Sequence, residues 1–428
     1  MHRSLHRRLA PAAVLAAGAL LLSGCGAGSA ADGDGDVTLR FYWWGHDGRH
    51  ENTQELIDIY EEENPGVTIE PEYSDWSGYW DRLATQTAAG EAPDVIQMDA
   101  LYLREYAENG TLLDLSAMDF SGLAAGVRDA GATDDGVWAM PHGMTVMTLA
   151  ANDSMIADSG VELPDDTSWT WEDFSGYAAE LAEATGEYGV SPVLESAGLQ
   201  TWLRQHGKQI TTDAGELGFE PADAAEYFQF QLDLLAEGGY PPPSASAEEQ
   251  PPGSAEQSMN GRGEAVMGTW WDTMIGGLSE YADSSFTPLR MPSTDGDGDH
   301  RMFFKPSMFY SGSSSTEHPE EVRDFIAFLA TSDESAEINL TDRGMPAAEG
   351  ALETIRDELT EQEQVLADYA AELDAEVGDP TPIPPEGASG FPDHIYRYSQ
   401  EVLFERQTPQ EAAEAMHAEM QADLDQPG

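Results

Sequence analysis

The chain has 428 residues, with 80 aspartates and glutamates against 19 lysines and arginines, for a formal net charge of −61. Nothing in that balance could neutralise a phosphate backbone, so nucleic acid is excluded as a partner. Ten tryptophans and a regular apolar periodicity exclude a disordered acidic chain, and the acidic excess reads as a solvated surface suited to a salty environment.

The first residues read as a processing signal. Arg3, Arg7 and Arg8 form a basic start, and Leu9 to Leu22 is an apolar run too short for a membrane span. It ends in Leu22-Ser23-Gly24-Cys25, which resembles a bacterial lipobox, so residues 1–24 are expected to be removed. Cys25 is the single cysteine and has no disulfide partner, which suits a lipid anchor. The expectation is an exported protein held by acyl chains to the outer face of the cell membrane. Residues 25–36, rich in Gly, Ala and Asp, are the anchor and a flexible tether.

The folded part begins near Val37, and its length favours two domains. Val37–Trp44 reads as a strand buried on both faces. Glu51–Glu63 has the spacing of a helix, stopped by Asn64-Pro65-Gly66. Val67–Tyr73 alternates as a strand, Tyr79–Ala89 is a helix, and the segment from Pro93 to Gln97 is a short buried strand. Leu101–Glu108 is helical and ends at Asn109-Gly110. Strand, helix, strand, helix, strand is the pattern of a parallel α/β sheet. Trp138–Pro141 and Met144–Asn152 read as two extended pieces, before helices at Trp171–Ala184, Ala222–Glu237 and Ser254–Gly261. Pro241-Pro242-Pro243 reads as a loop. Ala265–Gly268 is a short strand running into Thr269-Trp270-Trp271-Asp272, and 294–300 is a polar loop. Met302–Ser311 is extended, and Pro319–Ala330 is an amphipathic helix. A Pro-rich stretch at 380–385 introduces an acidic helical end.

No nucleophile elbow, P-loop or dinucleotide fingerprint is present. His46 and His50 have helical spacing, but Gly48 lies between them and no third metal ligand is near, so a polar loop is the better reading. The Asp-Gly runs at 32–36 and 295–299 lack the glycine and the glutamate of a calcium loop. No metal, cofactor or catalytic residue is expected. The informative signal is aromatic placement: Trp43-Trp44 and Trp270-Trp271 end strands, and Trp76, Tyr79 and Trp80 follow the second strand. Ligands in open α/β sheets bind beyond the carboxyl ends of strands, and an indole suits the C–H face of a pyranose. Strand alternation should bury one tryptophan of each pair and present the other. Trp44 and Trp270 are expected to face the cleft. Asp47, Arg49 and His142 are further candidates. Arg49 could grip a uronate carboxylate or pair with a neighbouring acid. Asp99 could accept sugar hydroxyls or cap the helix that follows.

Several segments together carry a family resemblance. FYWWG leads into a helix ending EEENPGV; YSDWSGYWDRLATQTAAGEAPDVIQMD and NGRGEAVMGTWW follow; SSSTEHPEEVRDFIAFL precedes Arg343-Gly344-Met345-Pro346. Across nearly the whole mature length the chain resembles the family 1 extracellular solute-binding proteins of carbohydrate ABC importers, the group that includes maltose-binding protein. The WWG…GRH opening is similar to members that take up oligogalacturonides. The resemblance implies a periplasmic-binding-protein-like fold: two discontinuous α/β lobes around a central cleft, joined by hinge segments near 146–150, 296–303 and 345–350. The lobes would be 37–147 with 302–347, and 148–301 with 348–428. The resemblance implies that Trp44, Trp76, Asp99 and Trp270 contact sugar, with Tyr79, Asp272 and Arg343 behind them. It implies a monomer that binds a mono- or oligosaccharide and delivers it to a membrane ABC permease without catalysis. An exported glycoside hydrolase and a tethered sugar sensor are the alternatives.

Overall fold

The computed structural model describes residues 36–425 apart from 125–126, 193–195, 250–254, 374–375 and 378–379. The signal segment, Cys25 and the tether lie outside the described residues. Three parallel strands open the fold, β1 (Val37–Trp44), β2 (Val67–Ser74) and β3 (Val95–Met98), with α1 (Asp47–Glu63), α2 (Trp76–Ala89) and α3 (Ala100–Glu108). A small hairpin, β4 (Ala132–Thr133) and β5 (Gly136–Val137), precedes the 13-residue strand β6 (Met140–Asn152). Next come α4 (Asp153–Ser159), α5 (Trp171–Thr185), β7 (Tyr188–Val190), α6 (Ser196–Gln205), α7 (Pro221–Glu237) and α8 (Pro243–Glu248). They lead to β8 (Ala265–Trp271), α9 (Asp272–Ala282), β9 (Phe286–Leu289) and β10 (Phe304–Gly312). The chain closes with α10 (Pro319–Thr331), α11 (Asp333–Asn339), β11 (Met345–Pro346), α12 (Ala351–Ile355), α13 (Glu361–Leu373), α14 (Phe391–Leu403) and α15 (Pro409–Asp425).

The strand order is β2-β1-β3-β10-β6-β8-β7, with β9 and β11 also paired to β6. β6 serves two sets of partners. Its residues up to Val146 pair with β10 and β11, and those from Met147 onward pair with β8 and β9. That change of partner divides the sheet into two α/β halves, each built from separate stretches of chain.

Both faces of β1 are covered, which explains its unbroken aromatic run. Phe41 and Trp43 pack with Ile57, Tyr60, Phe325 and Leu329 on one face. Tyr42 and Trp44 pack with Tyr79, Trp80, Leu83 and Met98 on the other. In the second half, Leu149, Ala151 and Met267 join one core while Ala150, Trp270 and Phe286 join another. Helix starts follow local chemistry: Asp75 caps α2 through Gly78 N, and Thr170 and Asp173 form a reciprocal capping box on α5.

Several element boundaries differ from the sequence expectation: α2 starts at Trp76, not Tyr79, where Asp75 caps it, and β8 runs on to Trp271 in register with Met147. α1 begins at Asp47, not Glu51, because His46 accepts from the Arg49 N–H and Gly48 sits in the first turn, where no intrahelical bond is lost. The two extended pieces around Pro141 and Gly143 are one strand, with the irregularity taken up by β10 between Pro306 and Phe309. Where Ser254–Gly261 reads as a helix, the described part holds a 3₁₀ turn at Ala255–Gln257. Gly143 is required by closeness: a Cβ there would lie 2.5 Å from the Arg343 carbonyl oxygen.

Candidate functional site

A continuous series of contacts runs from the carboxyl end of β1 to the carboxyl end of β8. Trp44 meets Trp76 edge to face at 5.0 Å, and Trp76 meets Tyr102 at 6.5 Å. Tyr102 stacks on Trp80 at 3.7 Å and lies on α3, the helix that Asp99 caps by accepting from the Leu101 N–H at 2.9 Å. The other Asp99 oxygen is 3.5 Å from Lys305 Nζ, and that ammonium sits 4.7 Å from the ring centre of Trp271. Lys305 lies on β10 opposite Thr145 of β6, near the point where β6 changes partners. The series therefore spans both halves of the sheet.

Trp76 is 42% exposed and presents its ring to solvent, as a ligand contact requires. Trp44 does not. It is 8% exposed, because Trp76, Tyr79 and Trp80 cover it. Trp270 is a clearer correction, at 3% exposed, with its indole N–H donating to Asn260 Oδ1 at 3.1 Å. Alternation along β8 turns Trp271 outward instead, where it is half-buried against Lys305. Asp99 takes the capping alternative at α3 through one oxygen, and its other oxygen faces the Lys305 ammonium.

The remaining candidates are held inside the protein. The Tyr79 hydroxyl donates to the Gln97 carbonyl at 2.6 Å and is fully buried, so it ties α2 to β3. His142 donates Nδ1–H to the Leu329 carbonyl at 3.1 Å; burial and the nearby Arg343 charge lower its pKa to about 3. Arg343 is buried and bonds Gln97 and, at 2.6 Å, Thr53, linking β3 to α1. Arg49 meets Asp342 through Nε at 2.9 Å and through the carbonyl at 2.6 Å. Burial alone would raise the Asp342 carboxyl. The Arg49 charge and the bonds from His46 and Arg49 instead hold it well below its ordinary value. Arg49 thus takes the acid-pairing alternative, with Asp342 as its partner. Asp47 is exposed in the first turn of α1.

Asp272 starts α9 and is shut away from solvent. Its Oδ1 accepts from Thr145 Oγ1 at 2.5 Å, Val146 N at 3.3 Å and Thr273 N at 2.8 Å, while Oδ2 has no hydrogen-bond partner among the described residues. Burial pushes its carboxyl up to about 6, against the effect of those bonds. Asp272 therefore clamps β6 where the strand changes partners.

A family model described as bacterial extracellular solute-binding protein matches residues 46–336. The chain belongs to that family. Among curated proteins, this solute-binding protein is 32% identical over 217 residues to an uncharacterized lipoprotein encoded in the oleD 5′ region of Streptomyces antibioticus. That alignment covers 48% of this chain and 47% of the relative, so the chain spans about half the length of the curated relative it matches. Among solved structures, a periplasmic oligogalacturonide-binding protein from Yersinia enterocolitica, in complex with saturated digalacturonic acid, superposes with a TM-score of 0.80. It is 22% identical and covers 91% of this chain and 99% of its own. A substrate-binding protein from Listeria monocytogenes in complex with cycloalternan gives 0.79 at 19% identity, with 91% and 99% covered. At such identity these likenesses carry the fold: two discontinuous α/β lobes around a cleft.

Within this solute-binding protein, sequence reading missed Tyr102, Trp271 and Lys305. Lys305 had a signal: it is one of only two lysines in the chain, beside Lys208, in a sequence that has discarded almost all others. Tyr102 had helical spacing from Asp99 but no pattern that set it apart from core aromatics. A surface groove of about 750 Å³ between α5 and the end of α7 is lined by Glu180, Glu183 and Glu237 and lacks any aromatic ring.

Proposed function

We propose that this solute-binding protein captures a mono- or oligosaccharide outside the cell and delivers it to an ABC-type permease by closure of two lobes. The lobes are residues 37–147 with 302–347, and 148–301 with 348–428; a lipid on Cys25 tethers the monomer to the membrane. The observation that carries the reading is the line Trp76–Tyr102–Asp99–Lys305–Trp271, which sets aromatic faces beside a donor–acceptor pair. Stacking a pyranose face of ~80 Å² on an exposed indole contributes roughly 2 kcal/mol. Asp99 and Lys305 then serve the hydroxyl belt.

Two further features support closure. β6 crosses between the lobes as one strand, so a rotation of one lobe acts through Val146 and Met147. Between the proposed lobes, Asn109 donates to Glu386 Oε1 at 3.3 Å, and Ile383 packs on the cluster that holds Trp44 and Trp80. A sugar bridging both lobes would favour the closed state by its differential contacts. The reading contains no covalent step. Titrating saccharides while recording tryptophan fluorescence tests it, since Trp76 and Trp271 lie in the site. A saturable change with the sugar recovered intact is expected. A cleaved sugar would replace the binding protein with a hydrolase.

A further inference from the structure

The backbone ladder between β6 and β8 ends at Met147 and Trp271. One residue further on, the Asp272 side chain continues the pairing. Its Oδ1 accepts from the Val146 N–H at 3.3 Å and from Thr145 Oγ1 at 2.5 Å. Those two residues belong to the other half of the sheet, where they pair with Phe304 and Lys305 of β10. One carboxyl group therefore bridges both halves at the point where β6 changes partners. It is buried, and its Oδ2 has no hydrogen-bond partner among the described residues. Such a group is costly to keep charged and far less costly to keep protonated.

Among the described residues, the charged groups on the elements packed around Asp272 face elsewhere. Lys305 meets Asp99, Glu363 bonds Thr341 and Thr360, and Asp368 pairs with Arg356. Glu256, Glu280, Glu361 and Glu372 are exposed, and His142 on β6 is bonded to the Leu329 carbonyl. The Tyr369 hydroxyl on α13 does feel the carboxyl, and burial holds that hydroxyl neutral. Burial thus sets the protonation of Asp272, raising it to about 6 although three donors act the other way.

We infer that Asp272 is a proton-controlled lock on the crossing between the lobes: protonated, it holds the arrangement shown, and ionised, it frees Val146 and Met147 to rotate. The inference rests on the two lobes of the reading above and not on the sugar. Rotation between Val146 and Met147 draws Thr145 and Val146 away from Asp272 and admits water to the carboxyl. That removes the burial and the bonds together, and the group returns toward its ordinary 3.8. The arrangement shown binds the proton more tightly, so it gains as pH falls and yields as pH rises through about 6. The equilibrium between the two arrangements should change by up to about a hundredfold between about pH 4 and about pH 7. A ligand that closes the lobes acts through the same crossing, so its affinity and the proton are linked.

Spin labels read the lobes directly. Glu62→Cys on α1 and Glu183→Cys on α5 are exposed positions, one in each proposed lobe, and Cys25→Ser leaves only those two thiols. Dipolar distances are recorded without sugar, at fixed ionic strength, from pH 4 to pH 7. With Asp272 intact, one distance should dominate in acid and a second should grow as pH rises. Asp272→Asn, which cannot ionise, should keep the acid distribution throughout. Thr145→Val removes a donor that favours the ionised form, so the transition should move to higher pH. A distribution that ignores pH, or one that changes equally in Asp272→Asn, overturns the inference. If Asp272→Asn does not fold, Thr145→Val decides, and an unmoved transition overturns it. No sugar is present, so failure here leaves saccharide capture standing, and a protein that binds no saccharide leaves this result standing.

Discussion

Trp270 and Trp271 adjoin in sequence and do opposite work. The first fills a core beside Ile275 and Phe286; the second lies half-open beside Lys305. Trp270→Ala should lower folding stability by about 3–5 kcal/mol, as large buried truncations do, with binding lost only through unfolding. Trp76→Ala should leave the melting temperature nearly unchanged and weaken sugar binding by about 30-fold, the equivalent of roughly 2 kcal/mol. Denaturant unfolding and calorimetry on the two variants check the assignment, and a reversal would place the ligand on the other tryptophan. Asp272 gives a pH test. Its folded carboxyl titrates near 6 against an ordinary 3.8. The folded state therefore binds the proton more tightly, and its relative stability falls as pH rises through that window. The variant Asp272→Asn keeps the Oδ1 acceptor and cannot ionise. The wild type should lose up to about 3 kcal/mol against it between about pH 4 and about pH 7. A difference that stays flat across that range would show that the carboxyl does not titrate there. The sequence showed which residue types gather at strand ends, but which of two adjacent tryptophans faces inward depends on the packing of α9 and β9, which no local pattern records.

α3 carries both the proposed site and the hydrogen bond from Asn109 to Glu386 that joins the proposed lobes. Asp99 at its start faces Lys305, Tyr102 stacks on Trp80, and Asn109 at its end reaches Glu386. Burial raises the Glu105 carboxyl; a bond from Ser389 acts against that, and Glu386 adds to it. Since the folded state favours the neutral carboxyl, it gains relative stability as pH falls and loses it as pH rises through the raised value. Denaturant unfolding should show the wild type losing stability against Glu105→Gln as pH rises through that window. Equal pH profiles would rule out Glu105 as the titrating group. At this scale the sequence was legible where local chemistry decides: the strand–helix alternation of the first three strands, the Asn109-Gly110 stop, the amphipathic α10. It failed where distant chain supplies the partner. β6 reads as two pieces because of Pro141 and Gly143, yet β10 and β11 on one side and β8 and β9 on the other hold it as one.

For the whole molecule, a net charge of −61 and a two-half sheet joined through β6 set the terms. The family and the fold were legible because motifs such as YSDWSGYWDRLATQ and NGRGEAVMGTWW combine strand ends with aromatics. The proposed site is legible in part: Trp76 and Asp99 fall on its line of contacts, Trp44 lies buried behind Trp76, and Tyr79, His142, Asp272 and Arg343 are held in the interior. Buried polar residues and ligand contacts share the same residue types, and only burial and partners separate them. The most direct test of capture is thermal unfolding of the protein with neutral gluco-, xylo- and manno-oligosaccharides, galacturonides and free hexoses, followed by recovery of each sugar. A rise of several degrees with one saccharide class, the sugar returned uncleaved, is the predicted result. No rise with any saccharide would contradict the account.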